Sequence, residues 1–333
     1  MDRSFPVTLG EFARVLAAAL ALVAACAPAP AEELLRLEAK IPLGKVNGRI
    51  DHMAFDLAYR RLFVAELGND SVSVLDVEAR KVVHRISGLR TPQGLGHLPA
   101  LDLLLVANGG DGSLRLFSGT QYVEAGRLDL GADADNIRID AAINRVMVGY
   151  GSGGIAMIDP ASRRKLFDVP LPAHPESFQH DGSTHRIFVN LPAAKAIAVI
   201  DPATHKAATW PMPAGGNFPM ALRPAAGHVI VAFRDPAQLG VFAMADGAPV
   251  ASPEACGDAD DVFADAKRER LYVSCGDGFL DVFDGKDYRR VAHIRTATSA
   301  RTSLFVPEID RLFLAVPAGG AEPAAIWVYR PGP

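Results

Sequence analysis

The chain has 333 residues, 49% of them hydrophobic, and its 34 basic and 38 acidic residues give a formal net charge of −4. This length allows a large buried core, whereas the nearly balanced charge gives no global field that would attract nucleic-acid phosphates or an anionic membrane surface. We therefore expect no nucleic-acid partner.

An apolar run near the N-terminus predicts an export signal. Residues 15–25 are apolar and follow Arg14, and the run is too short to span a bilayer but has the length of a signal-peptide core. The positive charge ahead of this run is weak for a signal peptide. The alternative interpretation of the segment is a short N-terminal helix. We expect residues 1–31 to be a signal peptide and the mature protein to be periplasmic or secreted. Lipoprotein-type cleavage before Cys26 competes with cleavage after Ala31, and a lipid on Cys26 is the only membrane contact that we expect.

A repeat fills residues 32–333. Its unit is an apolar strand, a loop rich in Gly, Asn and Asp, and a second strand, as in RLFVAELGNDSVSVLDV. The alternation in SVSVLDV has period two, which excludes helical repeats. The central residues of the seven first strands are 41 or 42 positions apart and serve as anchors: Phe63, Leu105, Met147, Phe188, Ile230, Tyr272 and Phe313. This pattern predicts an all-β fold, one seven-bladed β-propeller of four-stranded antiparallel blades.

The seventh unit is short of one strand. Only Arg330 to Pro333 follow its third strand, while residues 34–43, LLRLEAKIPL, precede the first inner strand. We expect this N-terminal strand to complete the last blade as its outer strand, because that pairing closes the ring. The expected protein is a monomer.

Several stretches resemble a known family. VSVLDVEARKVVHRI after LFVAELGND is similar to a YVTN-type repeat, and GRIDHMAFD, DADNIRID, HPESF and DADDVF resemble YncE-like propellers. The resemblance covers residues 34–329. It implies an exported bacterial propeller that binds a partner and has no agreed reaction, so no catalytic residue is transferred.

The period allows polar side chains to be superposed across the blades. Twelve positions before each anchor stand Asp51, Gln93, Asp135, Glu176, Phe218, Asp260 and Arg301, and the next positions hold His52, Gly94, Asn136, Ser177, Pro219, Asp261 and Thr302. The loops between second and third strands add Asn69, Asp70, Asn108, Asp111, Arg234 and Asp277. In a propeller these connections lie on one face, which predicts an acidic funnel at one mouth of the central channel.

Turn formation alone explains part of this set, because Asp, Asn and Ser favour strand-entering loops. Thirteen residues are predicted to bind a ligand: Asp51, His52, Gln93, Asn108, Asp135, Asn136, Glu176, Ser177, Arg234, Asp260, Asp261, Arg301 and Thr302. Of the nine histidines, we expect only His52 to point into the funnel.

Carboxylates that face one axis repel one another and raise one another's pKa values unless a counter-charge is present. Three sources of a counter-charge or of hydrogen-bond donors are compatible with these carboxylates. Ca²⁺ or another divalent cation suits Asp51, Asp135, Glu176 and Asp260, because Ca²⁺ prefers oxygen ligands. Arg301 can pair with a neighbouring carboxylate. A polyhydroxylated or cationic small molecule can also satisfy these groups.

Two cysteines, Cys256 and Cys275, remain after the export signal. In an oxidising compartment they suggest one disulfide, and a metal pair is disfavoured because no CxxC motif accompanies them.

Two functions compete. The first is a cell-envelope propeller that binds a small molecule or an envelope protein through the funnel. The alternative is a metal-assisted hydrolase of lactonase type that uses the channel carboxylates. Motifs for zinc peptidases, dinucleotides and P-loops do not occur, and the lack of CxxCH disfavours a haem protein.

Overall fold

The computed structural model describes residue 1 and residues 34–201, 203–320 and 322–333. The predicted export signal and Cys26 lie outside these described residues. Within them, no helix has both the length and the apolar character needed to cross a membrane.

The described residues form twenty-eight β-strands that follow one another, separated by tight turns and single 3₁₀ turns. Their bounds are β1 Leu35–Pro42, β2 Met53–Asp56, β3 Arg61–Glu66, β4 Ser71–Asp76, β5 Lys81–Ser87, β6 Pro92–Leu98, β7 Leu103–Asn108, β8 Ser113–Ser118, β9 Val123–Asp129, β10 Ala134–Asp140, β11 Arg145–Tyr150, β12 Gly154–Asp159, β13 Arg164–Pro170, β14 Phe178–His180, β15 Ile187–Leu191, β16 Ala196–Asp201, β17 Lys206–Pro211, β18 Gly215–Arg223, β19 His228–Asp235, β20 Ala237–Ala243, β21 Pro249–Ala251, β22 Ala259–Asp265, β23 Arg270–Cys275, β24 Phe279–Asp284, β25 Arg290–Arg295, β26 Ser303–Val306, β27 Arg311–Val316 and β28 Ala325–Pro331.

The strands form seven antiparallel sheets of four, one for each predicted repeat. The first six blades take consecutive strands, from β2–β5 in blade 1 to β22–β25 in blade 6, and blade 7 has the order β26, β27, β28, β1. The inner strands of successive blades contact one another, and β2 of blade 1 contacts β26 of blade 7. The seven blades therefore close into a ring, and the predicted propeller fold is confirmed.

The outer strand of blade 7 comes from the N-terminal side of the chain. Strand β1 pairs antiparallel with β28, with Leu35 opposite Pro331 and Pro42 opposite Ala325. This pairing covers the edge of β28, which otherwise would present unpaired N–H and C=O groups.

The core lies between neighbouring blades. The seven anchor residues sit in the second strands, and each is at most 2% exposed. Phe313, for example, packs between blades 7 and 1 with Leu62, Val64 and Ile41. A large side chain at the centre of every second strand thus fills each gap between blades, which explains the regular spacing of the anchors.

Aspartates at the ends of inner strands fix the turns that follow. Asp56, Asp140 and Asp265 each accept a hydrogen bond from the backbone N–H two residues on, at 2.9, 3.0 and 3.0 Å. Such turns start the second strand at a constant distance from the first and so hold the inner strands in one register around the channel.

Candidate functional site

The mouth of the channel gathers most of the residues that the period superposes. On the side of blade 1, Asp51 lies 2.9 Å from Arg49 (Oδ2 to Nη2) and 3.6 Å from His52 (Oδ1 to Nε2). The same His52 nitrogen is 4.0 Å from Oδ1 of Asp135 in blade 3. The imidazole of His52 therefore lies between two carboxylates that are more than eighty residues apart in sequence.

Blades 2 to 4 continue this charged ring. His174 Nε2 lies 3.9 Å from Asp135 Oδ2, and its Nδ1 donates a hydrogen bond to the Gly151 carbonyl at 2.6 Å and lies 3.6 Å from Asp133. The amide of Gln93 donates to Asp133 Oδ1 at 3.1 Å. The expectation that His52 is the only histidine in the funnel is wrong, because His174 also faces it.

Blades 5 to 7 contribute alternating charges. Asp260 receives Arg234 Nη2 at 2.5 Å and the Thr302 hydroxyl at 3.2 Å, and Arg301 Nε lies 3.3 Å away. Arg301 also donates to both oxygens of Asp258 at 2.8 and 2.7 Å. The two arginines are thus held by carboxylates on this side of the mouth.

A partly open cavity of about 320 Å³ lies on the axis next to this ring. Six of the seven blades line it, with His52, Met53, Gly94, Leu95, Asn136, Ile137, Arg138, Gln179, Asp261, Phe263, Ser303 and Leu304. Its wall alternates polar groups with apolar side chains, which is the composition of sites that orient small ligands. A shallower hollow of about 560 Å³ opens on the rim beside Arg49, Asp258 and Arg301.

The electrostatics of the mouth perturb its titratable groups. Burial, followed by the charges of Asp135 and Asp260, raises the pKa of Glu176 to about 7. Burial and the neighbouring Asp260 raise the pKa of Asp261 to about 7 as well. Two carboxyl groups of the funnel therefore titrate near neutral pH.

The histidines of the mouth are shifted in the same direction. The Asp135 carboxylate leads the effects that raise the pKa of His174 to about 9. Burial opposes protonation of His52, but the carboxylates of Asp51, Asp261, Asp135 and Asp260 outweigh it, so the pKa of His52 is raised. Both shifts report an excess of negative charge around the axis.

Twelve of the thirteen residues predicted to bind a ligand lie at the mouth or in the cavity wall. Ser177 belongs to this group through its hydroxyl, which accepts a hydrogen bond from Arg138 at 3.3 Å. Asn108 does not. Its amide is fully buried, donates to the Val106 and Ser113 carbonyls, and accepts the backbone N–H of Arg90. Asn108 therefore stabilises its own hairpin instead of facing the funnel.

Cys256 and Cys275 form a disulfide with a Cα–Cα distance of 5.8 Å. It ties the loop that carries Asp258 to the end of β23, beside which the backbone N–H of Gly257 donates to Asp277 at 2.7 Å. The disulfide thus anchors one edge of the mouth.

No preformed metal site accompanies the mouth in the described part of the chain. The one group of three His, Cys, Asp or Glu side chains there with ligand atoms within 4.8 Å of one another is Cys256, Cys275 and Asp277, and both of its sulfurs belong to the disulfide. The four carboxylates expected to bind Ca²⁺ do not form such a group, and a divalent cation at this mouth stays a prediction.

Some residues of the site were missed by sequence reasoning. They are Arg49, Asp133, His174 and Asp258, fourteen positions before their anchors, and Arg138 and Gln179, nine positions before theirs. The first four stand two residues ahead of the superposed ring, in the loops that enter the inner strands. Nine positions before the anchor, the other five blades hold Ala, Gly, Phe or Leu. A charged residue at this position of an inner strand is therefore unusual, and this was the sequence signal that identifies Arg138.

Comparison with known proteins defines the fold alone. No family model matches the chain, and no curated protein matches it. Among solved structures it is similar to hydrazine synthase of Kuenenia stuttgartiensis, with a TM-score of 0.72 and 15% identity over 81% of this chain and 94% of that chain. At this identity the similarity supports a shared propeller and carries no function, and as many as 1710 solved chains match it.

Proposed function

We propose that this protein is an exported binding propeller, of the YncE-like YVTN-repeat type, that captures a small polar molecule through the acidic funnel at one mouth of its channel. The observation that carries the proposal is the convergence of side chains from six blades on one axial cavity. Sites for small ligands combine such a concave apolar wall with a few convergent polar groups.

The charge distribution favours a small ligand over a protein partner. The groups with perturbed pKa values, Glu176 and Asp261, lie around the axis instead of on the outer rim. Perturbed titratable groups in a cavity are typical of functional sites. A protein partner would contact the rim, whereas these groups are within reach of a molecule that enters the channel.

Export is supported by two features. The N-terminal apolar run has the length of a signal-peptide core, and the disulfide between Cys256 and Cys275 is typical of proteins in oxidising compartments. We propose a periplasmic or secreted protein, with residues 32–333 as one domain and Cys26 as a candidate lipid-attachment site.

The test is a ligand screen on the protein purified from the cell envelope after export. Thermal unfolding is followed with sugars, polyamines, amino acids, carboxylates and CaCl₂, because a ligand that binds the folded state raises the unfolding temperature with its concentration. We expect at least one organic class to give a saturable rise. The rise should be lost in Asp135→Asn and kept in Glu78→Gln, a matched change at an exposed site. A panel without any saturable response, or an equal response in Asp135→Asn, would refute the proposal.

A metal-assisted lactonase is the second candidate. Carboxyl groups with pKa values of about 7, such as Glu176 and Asp261, suit general acid–base catalysis. Stoichiometric divalent metal by elemental analysis, together with lactone turnover that Glu176→Gln abolishes, would establish this activity. Metal-free protein without turnover would exclude it.

A further inference from the structure

Buried carboxylates away from the channel are satisfied by donors. Glu66, fully buried, accepts hydrogen bonds from the hydroxyls of Ser71 and Ser73 and pairs with Arg85. A buried charge is expected to be paired and hydrogen-bonded in this way, because its desolvation is otherwise strongly unfavourable.

Asp281 follows the same rule. It is also fully buried, and it accepts from the Cys256 backbone N–H, from Arg290 and from His293 at 2.8, 3.1 and 2.5 Å. The fold therefore supplies at least three donors to each of these two buried carboxylates.

Two carboxylates on the axis break this rule. Asp51 is 1% exposed and Asp135 7% exposed; Oδ2 of Asp51 accepts no hydrogen bond from a described residue, and the imidazole nitrogens nearest to Asp135 lie 3.9 and 4.0 Å from it. Arg49 approaches Asp51 to 2.9 Å, but its N–H groups do not have hydrogen-bond geometry. The imidazoles of His52 and His174 remain 3.6 Å or more from both carboxylates. Both carboxylates therefore have cationic neighbours but retain acceptor capacity that a ligand can use.

Arg138 shows the opposite deficit in the axial cavity, which it lines together with His52, the neighbour of Asp51, and Asn136, the neighbour of Asp135. Its guanidinium donates only to neutral groups, namely Gln179 Oε1, Asn136 Oδ1, the Ile137 carbonyl and Ser177 Oγ, at 2.8 to 3.3 Å. No carboxylate of a described residue lies within 4.0 Å of it. Burial lowers the pKa of Arg138, and the charges of Asp261 and Asp135 only partly offset this effect. A partly desolvated guanidinium is the residue of choice for binding a carboxylate in bidentate fashion.

We propose that the ligand of this site is a small zwitterion that resembles an amino acid. Its ammonium group donates to Asp51 and Asp135, and its carboxylate accepts from Arg138. This assignment rests on the proposed function and names its ligand class. One molecule of this kind supplies the missing donors and the missing anion together.

Ligands with one charge satisfy only half of the site. An amine leaves Arg138 without a counter-ion, and a carboxylate leaves Asp51 and Asp135 without donors. The apolar side chains of Leu95 and Ile137 also line the cavity, and they suit the short hydrocarbon segment between the two charges. A volume of about 320 Å³ accommodates a ligand of this size.

The experiment is a calorimetric titration of the exported, purified protein. The zwitterions are glycine, L-alanine, β-alanine, 4-aminobutyrate and 6-aminohexanoate, which vary the distance between the charges, and the single-charge analogues are butylamine and butyrate. We expect at least one zwitterion to bind about tenfold or more tightly than either analogue, since tenfold corresponds to the loss of one modest charged contact.

Variants assign the two ends of the ligand. Arg138→Gln should remove the preference for the zwitterion over butylamine, Asp135→Asn should remove the preference over butyrate, and Glu78→Gln should keep both. Circular dichroism and unfolding temperature check that each variant is folded, and the analogue series on the unchanged protein tests the proposal without any variant.

The outcomes separate this inference from the proposed function. If butylamine, butyrate or a sugar binds as tightly as every zwitterion, or if Arg138→Gln keeps the preference, the zwitterion assignment is overturned while small-molecule binding stands. If no compound of any class binds, the proposed function itself fails and this inference fails with it.

Discussion

Replacing Glu176 by glutamine tests the electrostatics of the mouth. In the folded protein, burial and the charges of Asp135 and Asp260 raise the pKa of Glu176 from 4.5 to about 7. The folded state therefore binds more protons than the unfolded state between these two pH values. By linkage, the free energy of unfolding decreases as the pH rises through this window, because the folded protein must accept an unfavourable charge. Glutamine removes that charge and keeps the shape.

The magnitude follows from the two pKa values. A change from 4.5 to about 7 corresponds to about 3 kcal/mol, at about 1.4 kcal/mol for each factor of ten in proton affinity. Glu176 borders water in the channel, which screens its interactions, so we expect about 1–2 kcal/mol. The variant Glu176→Gln should be more stable than the parent protein by this amount near pH 8. Near pH 4, below the pKa values of Glu176 in both the unfolded and the folded state, the difference should almost disappear.

The assay is urea unfolding of the parent protein and of Glu176→Gln at about pH 4 and about pH 8, with the free energy of unfolding as readout. The control is Glu78→Gln, an exposed position where a surface substitution should stay within about 0.5 kcal/mol. Two results would refute the reasoning: a variant no more stable than the parent at high pH, or a gain of equal size at both pH values.

Three further changes probe the frame of the site. Serine at both Cys256 and Cys275 should lower the free energy of unfolding by about 3 kcal/mol, because the disulfide closes a loop with a separation of 19 residues; an unchanged urea midpoint would contradict this. Gly94→Ala places a Cβ against a backbone carbonyl of β10 at the mouth and should weaken ligand binding in calorimetry, whereas Gly182→Ala, which meets nothing within 4 Å, should not. Two basic partners lower the pKa of Asp310, so Asp310→Asn should cost about 1 kcal/mol at neutral pH, and this loss should vanish in acid, where the parent also loses its charge.

The architecture was predictable because one packing requirement repeats seven times. Each gap between blades needs a large side chain at the centre of a second strand, and Phe63, Phe188 and Phe313 all meet this need in full burial. Because packing sets the spacing of these large residues, the period is visible in the sequence even where the loops of the blades differ. The strand count per unit then follows from its length of about 42 residues and its alternating pattern.

The site was predictable in position but not in detail. Superposition places Asp51, Asp135 and Glu176 on one strand level, since equivalent positions of a ring share one distance from the axis. It does not give the direction of a side chain. The amide of Asn108 donates hydrogen bonds within its own hairpin. The guanidinium of Arg138, three residues after Asp135 in the inner strand, donates to the Ser177 hydroxyl. Such choices depend on which neighbour offers a hydrogen bond, and this is settled only in three dimensions.

The charges on the axis are not required by the fold. At the level of Arg138 the other blades hold Ala, Gly, Phe, Leu or Gln, and at the level of Asp135 blade 5 carries Phe218, whose ring lies 3.6 Å from the Arg234 guanidinium. Apolar residues are therefore accommodated at both levels. Groups that oppose folding stability without a packing role are typical of functional sites. Oδ2 of Asp51 lacks the hydrogen-bond donors that Glu66 and Asp281 have, and Arg138 donates only to neutral groups; the ligand proposed above would complete both.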